Sequence, residues 1–173
     1  MISSPSVHDV MTMADVLTHV LVGYILGTVF SFRSEWVRAP QVTLVMLGAL
    51  SPDIVKIKLL LSAEMVELAL GMPFSWRPLH TPTGSFLVVG LGALLVSAEH
   101  RNRVFVLLAV GAGSHHILDV LLINPSGYAY PLCWPLTDYR PPRGMLYLSS
   151  DRLPVLVAGT VAAIVWKVQK KIR

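Results

Sequence analysis

The sequence predicts an all-α protein, a polytopic membrane helical bundle of about four or five transmembrane helices with one long loop between the last two. Three observations predict it. Hydrophobic residues make up 54% of the 173 residues and charged residues only 14%, against about 25% charged in soluble domains; mean hydropathy is +0.63. The apolar residues gather in runs that reach or approach the roughly 17–25 residues needed to cross a hydrocarbon core. The basic residues stand in pairs between the apolar runs and at the C-terminal end, where membrane proteins place them.

The runs follow in order. The first extends from Ala14 to Phe32. The second extends from Gln41 to Leu61 and is interrupted by Ser51-Pro52-Asp53. The third covers Thr83 to Ala98, the fourth Val104 to Ile123 and the fifth Leu153 to Val168. The third and fifth are short for a span. Leu61 to Met72 is amphipathic, carries Glu64 and Glu67, and is expected at the membrane interface. Asn124 to Arg152 is rich in Pro, Tyr and Trp. Its backbone polar groups could not go unsatisfied in lipid, so it is expected as a lid or rim, with Tyr128, Tyr130, Trp134 and Tyr139 at headgroup level. Residues 1–12 read as a polar N-terminal extension, with Met11 and Met13 as alternative starts, and 13–173 as a single membrane domain. No basic segment precedes the first run, so no signal peptide is read.

The formal charge of +4 does not indicate nucleic acid, because no basic face with interleaved aromatics occurs. Cys133 is the only cysteine, which excludes an intrachain disulfide and a thiolate metal cluster. With five spans, one side holds Arg33, Arg38, Arg101, Arg103, Lys167, Lys170, Lys171 and Arg173. The other holds Lys56, Lys58, Arg77, Arg140, Arg143 and Arg152. This small bias favours a cytoplasmic C-terminus.

The polar residues fall in a pattern. His19 is near the start of the first run and Asp53 near the end of the second. His80 precedes the third, and His115, His116 and Asp119 lie in the last half of the fourth. Spans alternate in direction, so all of these share one membrane face if the second run crosses. Ionisable groups in a membrane are expensive, and function is the first hypothesis for them. His115 and Asp119 are four apart, on one face of a helix. Imidazole and carboxylate suit zinc, or manganese or iron at higher coordination. Pro52 breaks the helix ahead of Asp53 and turns it. Each residue also has a plainer role: His19 as an interfacial donor, Asp53 as a helix cap, His80 as a loop residue, and His115–Asp119 as a hydrogen-bonded pair between packed helices. His8 and His100 fall in polar stretches and read as solvated. His116 lies about a quarter turn from His115, and reads as a headgroup contact or a partner to a ligand. Glu64 and Glu67 read as a wet helix face. Gly111 and Gly113, with Ser114, and the Gly23/Gly27 pair read as close helix contacts.

The segments DVLTHVLVGYILG, GALSPDI, LHTPTGSF and GAGSHHILDVLL resemble the membrane-bound metal-dependent hydrolase family that includes the LexA-regulated inner-membrane protein of enteric bacteria. The resemblance covers Asp15 to about Pro135. The order of His and Asp is also similar, more distantly, to that of zinc-dependent phospholipase C. These resemblances imply a divalent metal, zinc first, as one or two ions held by His19, Asp53, His80, His115 and Asp119. Asp53, His80, His115 and Asp119 would hold one ion, and His19 and Asp119 a second. The family commonly has a second acidic residue where this chain has Val55, and often His-Arg where it has Trp76-Arg77. No His follows His116, which argues against a three-metal cluster.

The resulting expectation is a membrane-embedded metal-dependent hydrolase acting near the headgroups on a lipid or other amphiphilic phosphodiester or ester. Asp53 and Asp119 are the catalytic candidates. Arg77, His116, Arg140 and Arg143 are the substrate-binding candidates, the arginines as neutralisers of a phosphate. One alternative is a non-catalytic metal or proton transporter or channel, which would string polar residues through the membrane. Another is a structural interaction protein with a degenerate metal site. Haem ligation fits less well, because carboxylates crowd the histidines. The partners expected are membrane lipid and a lipid-like substrate, with no nucleic acid.

Overall fold

The computed structural model describes residues 7–34, 36–123, 131–142, 144–148 and 151–172, with backbone alone for 7–15 and 39. Among them every regular element is helical. Helix α1 covers Val7–Arg33, α2 Ala39–Leu50, α3 Ala63–Leu70, α4 Pro82–Leu94, α5 Ala98–Leu121 and α6 Leu153–Ile172. Two 3₁₀ helices, Ser51–Leu59 and Arg77–His80, flank α3. Three segments are long and apolar enough to cross a membrane: Val16–Arg33, Ala98–Leu121 and Leu153–Ile172. At 1.5 Å per residue they measure about 27, 36 and 30 Å, matching a core of about 30 Å. Helix α4 is a shorter apolar helix. Helix α1 begins upstream of the expected Ala14.

The second apolar run is not one continuous helix. Pro52 has no N–H to donate back to Gly48, and the chain tightens into a 3₁₀ helix there. Gly48 O is satisfied by Ser51, whose Oγ donates to it at 2.7 Å. Helix α2 is therefore 12 residues long, about 18 Å, and too short to span alone.

Helices α1, α2 and α5 form the centre. Val37, Val42, Val45 and Leu107 are its buried core, with Tyr24, Leu26, Leu44, Met46 and Val110 packed against it. Glycines bring the backbones together. A Cβ on Gly111 would collide with Val45 O and Ala49 N, and one on Gly48 with the Leu108 backbone. Gly23 meets Met46 and Ala49, and Gly27 meets Val42. Gly113 differs from the sequence expectation, since nothing lies within 4 Å of its Cβ position. It faces away from the packed side of α5.

Helix α6 packs along α1. Its small Ala158 and Ala162 are buried, while Leu153, Leu156, Val157, Ile164 and Ile172 are exposed, as lipid-facing side chains are. Gln169 near its end reaches Ser31 near the end of α1, so the two helices run parallel. The starts of α1 and α6 and the end of α5 thus lie toward one side of the bundle.

The described parts of the long connection are docked. Gly144 N–H and Leu146 N–H donate to Leu122 O and Leu121 O, and Ile123 N–H donates to Tyr147 O. Carbonyls that the end of α5 leaves without intrahelical donors are satisfied this way. Thr83 Oγ1 donates to Trp134 O at 2.6 Å. Tyr128, Tyr130 and Arg143 lie outside the described residues.

Candidate metal centre

Three elements deliver the histidines, and local sequence explains each delivery. His19 sits on α1, four residues after Asp15. His80 ends the second 3₁₀ helix, and its position is set by the start of α4. Thr81 caps that helix, its Oγ1 accepting from Gly84 N–H at 3.2 Å and donating to Pro78 O at 2.7 Å. Pro82 fits the first turn, where an N–H is not needed. Gly84 is required because a Cβ there would strike Pro78 O. His115 and Asp119 lie one turn apart on α5, near its end.

These side chains converge on Asp119. His80 Nε2 is 2.8 Å from its Oδ2, His115 Nε2 3.3 Å from the same oxygen, and His19 Nε2 3.4 Å from Oδ1. The His19 and His115 rings stack with centroids 3.7 Å apart. His19 and His115 are each 1% exposed. Asp53 joins from the first 3₁₀ helix. Its Oδ1 pairs with Lys56 Nζ at 2.9 Å, and its Oδ2 is buried with no hydrogen-bond partner among the described residues. His19, His115 and Asp119 form one group, and Asp53, His80 and His115 another, in which the ligand atoms lie within 4.8 Å of one another. Each group could hold a metal ion.

The hydrogen bonds on the far side of the rings sharpen this. His115 Nδ1 is 2.7 Å from Ala49 O, and His80 Nδ1 is 2.9 Å from Pro52 O. A carbonyl only accepts, so both Nδ1 atoms carry the proton. A neutral ring then presents the Nε2 lone pair to Asp119. Two acceptors 2.8–3.3 Å apart repel unless a cation lies with them. That cation is either an added proton or a metal. Burial disfavours a charged His80, but the hydrogen bond and charge of Asp119 outweigh it, and its pKa is raised above the ordinary value.

A metal answers the same need for the whole cluster. Two carboxylates against Lys56 leave a formal charge of −1 when the histidines are neutral, and an uncompensated buried charge costs several kcal/mol. Among the described residues His115 Nε2 and Asp53 Oδ2 are both buried without a hydrogen bond, as the lone pairs of metal ligands are. Ligands about 2.0–2.2 Å from one ion sit roughly 3–3.5 Å apart, close to the separations around Asp119. Imidazole tied through Nδ1 to a carbonyl is a common way of orienting a metal ligand.

The other sequence candidates divide. Arg77 and Arg140, together with His80, line a cleft of about 580 Å³. His116 does not line it. It is buried between α4 and α5, with Nε2 2.9 Å from Ser85 Oγ. Glu64, expected on a wet face, lines the cleft. Glu67 instead accepts from Phe74 N–H at 2.9 Å. The sequence reading missed Lys56 and Lys58. The first was signalled by its i, i+3 spacing from Asp53; nothing local signalled the second.

No curated protein and no solved structure matches the chain. The apolar helices mark it as an integral membrane protein, and a family model agrees. The model of the YdjM inner membrane protein family matches residues 13–172, a stretch that contains every residue of the His/Asp cluster, and the chain belongs to that family.

Proposed function

We propose that this protein is a membrane-embedded metal-dependent hydrolase, acting at headgroup depth on a lipid or other amphiphilic ester or phosphodiester. The observation that carries the reading is the convergence of three buried imidazoles on one buried carboxylate, beside a cleft that reaches the cluster through His80. Zinc suits the donor set best, with manganese or iron as substitutes at higher coordination number. A divalent ion held here supplies Lewis acidity and a water acidified to a pKa of about 7.

The chain's own residues have distinct parts. Asp119 offers one oxygen toward His19 and the other toward His80 and His115, so it can serve one ion or bridge two. Asp53, with Oδ1 held by Lys56, has Oδ2 open either as a ligand to the ion or as a proton acceptor. The Nδ1 bonds to Ala49 and Pro52 fix His115 and His80 in the ligand tautomer. Headgroup depth is supported by position: His19 stands four residues after the charged Asp15, and Asp119 is two residues from the end of α5. If the Lys/Arg bias sets a cytoplasmic C-terminus, the parallel α1–α6 pair puts this cluster on the opposite face.

The test is elemental analysis of protein purified in detergent with metal supplied and chelators omitted, alongside turnover of lipid esters and phosphodiesters. The wild type is expected to carry stoichiometric metal and to turn over substrate. His115→Ala and Asp119→Asn, at matched folding, are expected to lose both. A wild type without bound metal would overturn the mechanism. Metal without turnover of either substrate class would reduce the cluster to a structural site.

A further inference from the structure

The cleft beside the cluster carries an imbalance of charge that the metal site does not use. Its lining includes Lys58, Arg77 and Arg140, with Glu64 as the one carboxylate among its described residues. Those cations come from three separate segments: the first 3₁₀ helix, the second, and the long connection. Among the described residues none of the three is within ion-pair distance of a carboxylate. Glu64 stands at the N-terminal turn of α3, which Ser62 caps. Its pKa is held down by the Ser62 side chain and its own backbone, and it remains a single negative charge against three positive ones. Three cations against one carboxylate leave a net positive cleft that favours an external anion.

The walls indicate where that anion comes from. Lys58 is followed by Leu59, Leu60 and Leu61, exposed at 74%, 85% and 39%. On α3, Ala63 and Glu64 line the cleft, while Met65, Leu68 and Leu70 are exposed. Trp76 lines the cleft too, its indole N–H donating to Leu61 O at 2.9 Å and tying this apolar edge to the rim. The cleft is thus cationic within and apolar along its α3 edge. A molecule with a phosphate and acyl chains satisfies both, with the phosphate on the cations and the chains along the leucines. His80 is part of the same lining and touches Asp119, so the phosphate would rest at the mouth of the metal cluster.

We propose that Lys58, Arg77 and Arg140 form a phosphate-recognition site, and that the ligand class of this cleft is a phosphate-bearing lipid rather than a neutral lipid ester. The proposal rests on the hydrolase reading for the fate of the ligand but not for its binding. Lys58 is the specificity residue that sequence reasoning did not find.

Binding is measured by titration calorimetry on the full chain in an uncharged detergent. The probes are dihexanoyl phosphatidic acid, dihexanoylglycerol and inorganic phosphate, against wild type, the Lys58→Gln/Arg77→Gln/Arg140→Gln variant, each single variant, and Asp119→Asn. Phosphatidic acid is expected to bind saturably and at least about tenfold more tightly than either other probe, since a charge-assisted hydrogen bond contributes about a factor of ten. Each single variant is expected to weaken it about three- to tenfold, and the triple variant to abolish saturable binding. Asp119→Asn is expected to retain it within a few-fold, even with metal and turnover gone, which separates this proposal from the hydrolase reading. Equal binding of dihexanoylglycerol would overturn the phosphate preference, and equal binding of inorganic phosphate would overturn the lipid source. Unchanged affinity in the triple variant, or loss in folded Asp119→Asn, would overturn the assignment to these three side chains.

Discussion

Replacing Gly111 by Ala adds one methyl group to the face of α5 that packs on α2. That carbon would stand 2.6 Å from Ala49 N and 2.9 Å from Gly48 C, and closer still to Val45 O. All three are backbone atoms, so no rotamer change gives relief. Helix α2 must withdraw by about 1.5 Å to restore ordinary contact near 3.5 Å with Val45 O, and such overpacking costs about 1–3 kcal/mol. The same withdrawal stretches the 2.7 Å bond between His115 Nδ1 and Ala49 O beyond hydrogen-bond range, a further loss of about 1 kcal/mol. The better helix propensity of Ala returns about 1 kcal/mol, leaving a net destabilisation of roughly 1–3 kcal/mol. Gly113, two residues along, has open space at its Cβ position, so Gly113→Ala is expected to be neutral or to stabilise by up to about 1 kcal/mol. Thermal unfolding in detergent reads the difference. Gly111→Ala should melt about 2–12 °C below wild type and carry less metal, because Ala49 and Asp53 move with α2. Gly113→Ala should match wild type in both. A Gly111→Ala protein with unchanged melting and full metal content, or equal losses in the two variants, would refute the argument that this contact sets the geometry of the site.

Two further substitutions probe the surroundings of the cluster. Lys56→Met removes the partner of Asp53 Oδ1 and is expected to weaken metal binding about 10–100-fold, as loss of an outer partner commonly does; competition with a chromogenic chelator would show it, and Lys56→Arg should recover most of the affinity. Ser85→Ala leaves His116 Nε2 without its 2.9 Å contact and is expected to destabilise the fold by about 1–2 kcal/mol. Its metal stoichiometry, read by elemental analysis, should not change, because His116 belongs to neither ligand group.

Much of the arrangement was legible because it depends on local order. The apolar runs gave the long helices, and the i, i+4 spacing of His115 and Asp119 put both on one face of α5. Alternation of direction placed these residues on one face only if the second run crosses, and α2 is too short to do so alone; His19, His80, His115 and Asp119 nevertheless lie together. The Ser51-Pro52-Asp53 interruption was visible as a break, but its consequence was not. A helix of the full run length would have crossed the membrane, whereas α2 stops after 12 residues and the chain continues as 3₁₀. Contacts across segments were also illegible. Nothing in the spacing of Lys58, Arg77 and Arg140 indicates that they line one cleft, since three unrelated turns bring them there. Gly111 and Gly113 look alike in sequence, and only the packing of α5 against α2 separates them. For the same reason the bond from His116 to Ser85 could not be read from a residue expected either as a headgroup contact or as a partner to a ligand.

The break in the second run does more than shorten a helix. In α-helical pairing, Ala49 O would accept from Asp53 N–H; in 3₁₀ pairing, from residue 52, which is a proline without an N–H. The change of helix type at this point therefore leaves the Ala49 carbonyl open. A buried carbonyl without a donor is costly, and His115 supplies one to Ala49 O, while His80 donates to Pro52 O. The histidines in turn have their protons fixed on Nδ1 and their Nε2 lone pairs facing Asp119. The same proline thus ends α2, carries Asp53 to the cluster, leaves the Ala49 carbonyl free for His115 and offers its own carbonyl to His80. This coupling explains why a cation is needed. Both imidazoles are committed by the backbone to point a lone pair at a carboxylate, an arrangement that repels in the absence of positive charge and attracts around a metal.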